Sequence, residues 1–159
     1  MSKIFTFLFG SLVLIVSVKS RTFATYQLEA KKAQYLPVGA KLCLEKEKCL
    51  FLEVAKTKEE WFKGLMHRKN LNINSGMYFL SNKTKQTDIW MKNVVIPLDI
   101  IFIKDRKVMK LYTNLKPCTD NPCKKFNSIY EVDKIIELNS GAVKKYKIEV
   151  GQILNIEMI

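Results

Sequence analysis

Hydrophobic and polar positions alternate with a period of two through most of residues 41–159, in short runs separated by polar turns. In 50–55, Leu50, Leu52 and Val54 fall on one face and Phe51, Glu53 and Ala55 on the other, the pattern of a strand. Residues 41–44 and 48–55 flank Glu45-Lys46-Glu47 as a hairpin. Further strands are predicted over 77–80, 88–92, 97–103, 107–112, 134–138 and 153–159. Lys104-Asp105-Arg106 turns 97–103 back onto 107–112, where Val108, Lys110 and Tyr112 alternate with Met109 and Leu111.

One segment breaks this period. Thr57-Lys58-Glu59-Glu60 is a capping box, in which the Thr hydroxyl and the Glu carboxylate each take up a free N–H of the first helical turn. Trp61 with Leu65, and Phe62 with Met66, then stand four apart on a helix surface. The helix is expected to end near 67–69, where His67 and Lys69 face the negative end of its dipole. A short helical turn is expected at 142–146. The fold class is mostly β: a β-sandwich or partly open barrel of about eight short strands, with one or two short helices.

The first residues follow a different rule. Lys3 precedes an apolar run over 4–18, too short for a confident membrane span but of signal-peptide length. Residues 1–24 are therefore read as a signal peptide or an N-terminal membrane anchor, 25–40 as a tether and 41–159 as the β domain. Thr22-Phe23-Ala24 offers a cleavage site. The domain is expected outside the cytoplasm, periplasmic or secreted, with 4–18 a membrane tether if uncleaved.

Four cysteines follow: Cys43, Cys49, Cys118 and Cys123. In an exported chain an even number reads as disulfides, with three connectivities open. Local pairing fits best, because each pair brackets a polar turn. The competing readings are a zinc site of two hooks and a redox pair, and neither spacing is the usual one.

Net charge is +12 over 159 residues, and loss of 1–24 removes Lys3, Lys19 and Arg21. The lysines are scattered, with no arginine-rich helix and no aromatic–basic repeat. A basic solvated surface is expected, with no nucleic-acid partner, and the charge favours anionic lipids or acidic polymers.

Residues 89–102, IWMKNVVIPLDIIF, place a Trp, a Lys, an Asn and an Asp within an aliphatic stretch. Asp99 shares a strand face with Ile101 and Ile103, and both faces are otherwise apolar, as in a central strand. A buried carboxylate must be paired, hydrogen-bonded or protonated. Arg68, Lys92 and Asn93 are the available partners. Either Arg68 and Asp99 form a structural ion pair, or Arg68, Lys92, Asn93 and Asp99 line a polar pocket with Trp90 as its wall. Trp90 is either core or a stacking platform for a sugar or aromatic ligand. Met66, Met77 and Met91 read as core. Glu137, beside Leu138 at a strand end, points neither way. No metal or cofactor is expected, and no phosphate loop, zinc helix or serine-nucleophile motif occurs.

Five segments in order resemble the DUF192 family: Gly64-Leu65-Met66-x-Arg68, Gly76-Met77-x-Phe79, Trp90-Met91-Lys92-Asn93, Pro97-Leu98-Asp99-Ile100-x-Phe102 and Glu137-Leu138-x-x-Gly141. The resemblance spans about 50–159. It implies a compact, mostly β domain, commonly exported or membrane-tethered in bacteria and archaea. It supplies no catalytic residue. The loop from Pro117 to Cys123 looks like a variant seen among cyanobacterial members. Val94 stands where a Thr is usual.

Three functional expectations result. The first is an extracytoplasmic binding or accessory domain of the cell envelope, taking a small polar ligand such as a saccharide, or an envelope protein, at Arg68, Trp90, Lys92, Asn93 and Asp99. The second is an envelope-polymer hydrolase with Asp99 as acid or base, for which Glu137 or Glu53 would have to approach Asp99. The third is a purely structural envelope protein. With one His and disulfide-bound cysteines the acid–base inventory is thin, which favours the first.

Overall fold

A computed structural model describes residues 32–45 and 48–159. The apolar run over 4–18 and its cleavage site lie outside the described residues. The compact unit considered below is Ala33–Ile159. Among the described residues nine strands form: β1 (Val38–Glu45), β2 (Lys48–Ala55), β3 (Ser75–Lys85), β4 (Asp88–Trp90), β5 (Leu98–Lys104), β6 (Lys107–Leu115), β7 (Lys125–Asn127), β8 (Val132–Asn139) and β9 (Ile156–Met158). Among the described residues two helices accompany them, α1 (Lys58–Lys63) and α2 (Ala142–Lys145). The mostly β class therefore holds.

Seven strands make one sheet in the order β6-β5-β8-β3-β2-β1-β9, and β4 and β7 make a small second one. All pairs are antiparallel except β2 with β3. The barrel does not close. One C-terminal stretch nevertheless touches both outer regions of the large sheet: Ile153 bridges Lys107 of β6, and Ile156 pairs with Leu42 of β1. Three residues span at most about 10 Å, so the sheet must be strongly curled.

The two faces of the sheet carry two cores. The first contains Leu42, Leu52, Ile101, Ile103, Ile136 and Leu138, closed by Val143, Ile148 and Leu154. The second contains Met77, Phe79, Ile100, Phe102 and Ile135, covered by Leu65, Met66, Leu71, Met91 and Val94. Full burial on both faces is why 98–103 is apolar throughout except at Asp99.

The capping box is present: Glu60 N–H donates to Thr57 Oγ1 at 3.1 Å and Thr57 N–H to Glu60 Oε2 at 2.9 Å. The N–H groups of Thr57 and Lys56, both donating to Oε2, hold the Glu60 carboxyl below its ordinary range. The helix stops at Lys63, short of the 67–69 expected. Gly64 takes φ +45° and ψ −133°, open only to glycine, and turns the chain onto the second face. His67 and Lys69 are therefore not C-terminal helix charges; His67 sits in the left-handed region and its N–H donates to Asn93 O. Strand β3 is longer than 77–80, and β9 is shorter than 153–159.

Both disulfides are local, Cys43–Cys49 and Cys118–Cys123. The first links directly opposed residues of the β1–β2 hairpin. The second closes the loop between β6 and β7. With all four sulfurs paired, the zinc reading is set aside. None of the described helices is long and apolar enough to cross a membrane.

Candidate functional site

The five predicted ligand residues do not share one site. Arg68, 2 % exposed, follows the turn after Gly64 and meets Glu53 of β2, not Asp99. Its two terminal nitrogens bind the two carboxylate oxygens at 2.5 Å each, a bidentate pair. Arg68 Nε–H also donates to Gln34 O at 3.0 Å, and the guanidinium lies 4.4 Å from the Tyr35 ring centre. Leu36 N–H donates to Glu53 Oε2, and Gln34 Nε2 donates to the carbonyls of Glu60 and Gly64. Arg68 and Glu53 thus clamp residues 34–36, part of the 25–40 segment expected to be a tether, onto the domain.

Asp99 is fully buried on the other face of the sheet. Asn114 N–H donates to Oδ1 at 2.8 Å, and the N–H groups of Gly141 and Val143 donate to Oδ2 at 2.9 and 3.0 Å. Three main-chain donors take the place of the expected Arg68. They fasten the end of β6 and the start of α2 to the central strand β5. A shallow depression of about 520 Å³ overlies this region, with Lys144 and Lys147 among its walls, but both Asp99 oxygens are used beneath it.

Asn93 is exposed and adopts φ +59°, a conformation Asn tolerates better than most residues. Its carbonyl accepts from His67 N–H, and its amide contacts Met66 Sδ at 3.9 Å, so it joins two loops over the second core. Lys92 is exposed, with Nζ 5.5 Å from the Trp90 ring centre. Trp90, at the end of β4, is 36 % exposed and meets Phe62 edge-on at 6.5 Å.

Trp90 leads to a different site. A cavity of about 300 Å³ lies among α1, the Gly64 turn, β3, β4 and β8. Trp61, Phe62, Phe79 and Trp90 supply aromatic surface, and Gly64 and Glu137 complete its inner part. Trp61 is fixed by its Nε1–H, which donates to Leu80 O at 3.1 Å, and by an edge contact with Phe79. Lys63, Lys85 and Asp88 also line it, Lys85 and Asp88 being exposed. Val94, buried, forms part of the wall.

Glu137 is the unusual member. It lies mid-sheet on the second face, opposite Met77 of β3 and Ile100 of β5, and is 7 % exposed. No described residue donates a hydrogen bond to its carboxyl, and burial pushes its pKa up to about 7. A Cβ on Gly64 would stand 3.7 Å from Glu137 Oε2 and 3.4 Å from Phe79, and one on Gly76 would collide with the Glu137 carbonyl at 2.4 Å. Glu53, Met77 and Glu137 stand in one row across β2, β3 and β8. That places the Glu53 and Glu137 backbones about 10 Å apart, two strand spacings, and puts both on the face away from Asp99. The paired-carboxylate arrangement around Asp99 does not form. Its signal in the sequence, Ile135-Ile136-Glu137-Leu138, was the one that marked Asp99: an acid inside an aliphatic strand. Among the described residues no group of three or more His, Cys, Asp or Glu could hold a metal ion.

The architecture and its motifs define a class already known from sequence. Residues 41–156 match the family model DUF192, described as Uncharacterized ACR, and the chain belongs to that family. Two crystal structures are similar to it. A conjectured transcription regulator from Sinorhizobium meliloti 1021 is 27 % identical, with a TM-score of 0.67 over 80 % of this chain and 97 % of that one. A protein of unknown function from Novosphingobium aromaticivorans DSM 12444 is 30 % identical, with a TM-score of 0.65 over 80 % and 95 %. No curated protein matches the chain.

Proposed function

We propose that this chain is an extracytoplasmic binding domain of the cell envelope, and that its ligand, a small hydroxyl-bearing molecule of saccharide type, enters the cavity over Glu137. The observation that carries this reading is a nine-tenths-buried carboxyl, without a donor from any described residue, facing an aromatic-walled cavity. Burying such a group unpaired is costly, and a ligand hydroxyl would supply the missing donor. The ring of Trp90 offers the flat apolar surface on which a sugar's C–H face packs. Two disulfides are consistent with an oxidising compartment, as is the Lys3 and apolar start of the sequence.

Titration with neutral mono- and disaccharides, followed by saturation-transfer NMR, tests it. Binding should weaken at least about tenfold in Glu137→Gln or Trp90→Ala, the scale of one lost charge-assisted hydrogen bond or one stacking contact. Binding unaltered by both variants, or no binding at all, overturns it.

The elevated pKa of Glu137 favours a second reading, hydrolysis of an envelope polymer with Glu137 rather than Asp99 as the acid. Release of new reducing ends from an envelope polysaccharide, lost in Glu137→Gln, would support hydrolysis over binding alone.

A further inference from the structure

The charges around the cavity narrow the ligand further. Lys85 lines it, and Lys92 Nζ stands 5.5 Å from the Trp90 ring centre. Lys125 is the cross-strand partner of Trp90 in the small sheet. Against these three cations stands, among the described residues at the cavity, one exposed carboxylate, Asp88, which accepts from Asn127 Nδ2 at 2.6 Å and has Lys125 Nζ 3.9 Å away. The interior thus asks for a hydrogen-bond donor, and the outer part for negative charge. A cationic ligand would satisfy Glu137 but meet repulsion from the lysines. A neutral sugar would satisfy Glu137 and leave the lysines unused.

Resting on the saccharide reading of this cavity, we infer that its ligand is an acidic saccharide. A ring hydroxyl donates to Glu137, the ring packs on Trp90, and the carboxylate or sulfate substituent lies toward Lys85 and Lys92. Such a split ligand accounts for a cavity that is apolar at its sides, acceptor-lined within and cationic outside. The exposed lysines also favour capture of an anionic polymer by long-range attraction, which falls with added salt.

The full-length chain with both disulfides formed is titrated with galacturonic acid trisaccharide, with a neutral galactose trisaccharide and with a short single-stranded DNA. The acidic sugar should bind about tenfold tighter than the neutral one at low salt. That margin should disappear at high salt and in the double variant Lys85→Glu/Lys92→Glu, whose exposed positions leave the thermal midpoint unchanged. Glu137→Gln should weaken both sugars alike. Equal binding of the two sugars overturns the acidic assignment and leaves the cavity a saccharide site. No binding of either sugar overturns both readings. DNA bound as tightly as the acidic sugar, and indifferent to Trp90→Ala and Glu137→Gln, shows bare surface charge and also overturns the acidic assignment.

Discussion

Two carboxylates lie on neighbouring strands of one sheet, Asp99 on β5 and Glu137 on β8, and point to opposite faces. Both are more than nine-tenths buried. Around Asp99 the chain supplies three N–H donors from two separate segments, the end of β6 and the start of α2, so the fold is tied together through it. Around Glu137 it supplies no donor among the described residues, only the aromatic walls of a cavity. Burial alone therefore says little about role. What separates a structural acid from a candidate site is whether the protein itself completes its hydrogen bonds.

Substitutions should split the two regions sharply. Asp99→Ala leaves three N–H groups without an acceptor, and we expect a loss of about 5 kcal/mol in urea unfolding. Arg68→Met strands Glu53 and releases residues 34–36, with an expected loss of about 3–4 kcal/mol. Adding Glu53→Gln to that variant should recover part of it, because the stranded charge is gone.

Glu137 should show the opposite sign, through pH. Its folded pKa of about 7 lies above the ordinary carboxyl value of about 4.3. Between those values the folded protein retains a proton that the unfolded chain has released. The contribution of Glu137 to stability is then greatest below about pH 4 and declines as pH rises through 7, by on the order of 3 kcal/mol in total. Unfolding curves from pH 4 to pH 8 should show that decline in the wild type and lack it in Glu137→Gln. The smallest effect belongs to Trp90→Ala. With Trp90 partly exposed at the end of a three-residue strand, its removal should cost about 1 kcal/mol of stability while disabling the cavity wall.

The same contrast explains what could be read from the sequence. Strand alternation and the capping box were legible, since both are local. The burial of Asp99 was legible too, from its place among Ile100, Ile101 and Ile103. Its partners were not: main-chain N–H groups at 114, 141 and 143 carry no sequence signature, whereas Arg68 does. Pairing Arg68 with Asp99 needed the register of β2, β3, β8 and β5, which puts Glu53 on the second face and Asp99 on the first. The early end of α1 escaped because glycine is tolerated within helices, and only the packing against Phe79 and Glu137 shows why Gly64 leaves the helix. Glu137 was passed over because its strand was expected to stop at 138, whereas β8 runs to Asn139 with a neighbour on either side.

The most direct measurement is the unfolding free energy of Glu137→Gln against wild type at pH 8, where the carboxyl is mostly ionised. A carboxylate kept for a ligand and not for the fold predicts a variant as stable as wild type or more so, as functional groups held at a stability cost behave. A loss of about 3 kcal/mol or more would contradict that, and would make Glu137 a second Asp99, an acid on which the fold depends.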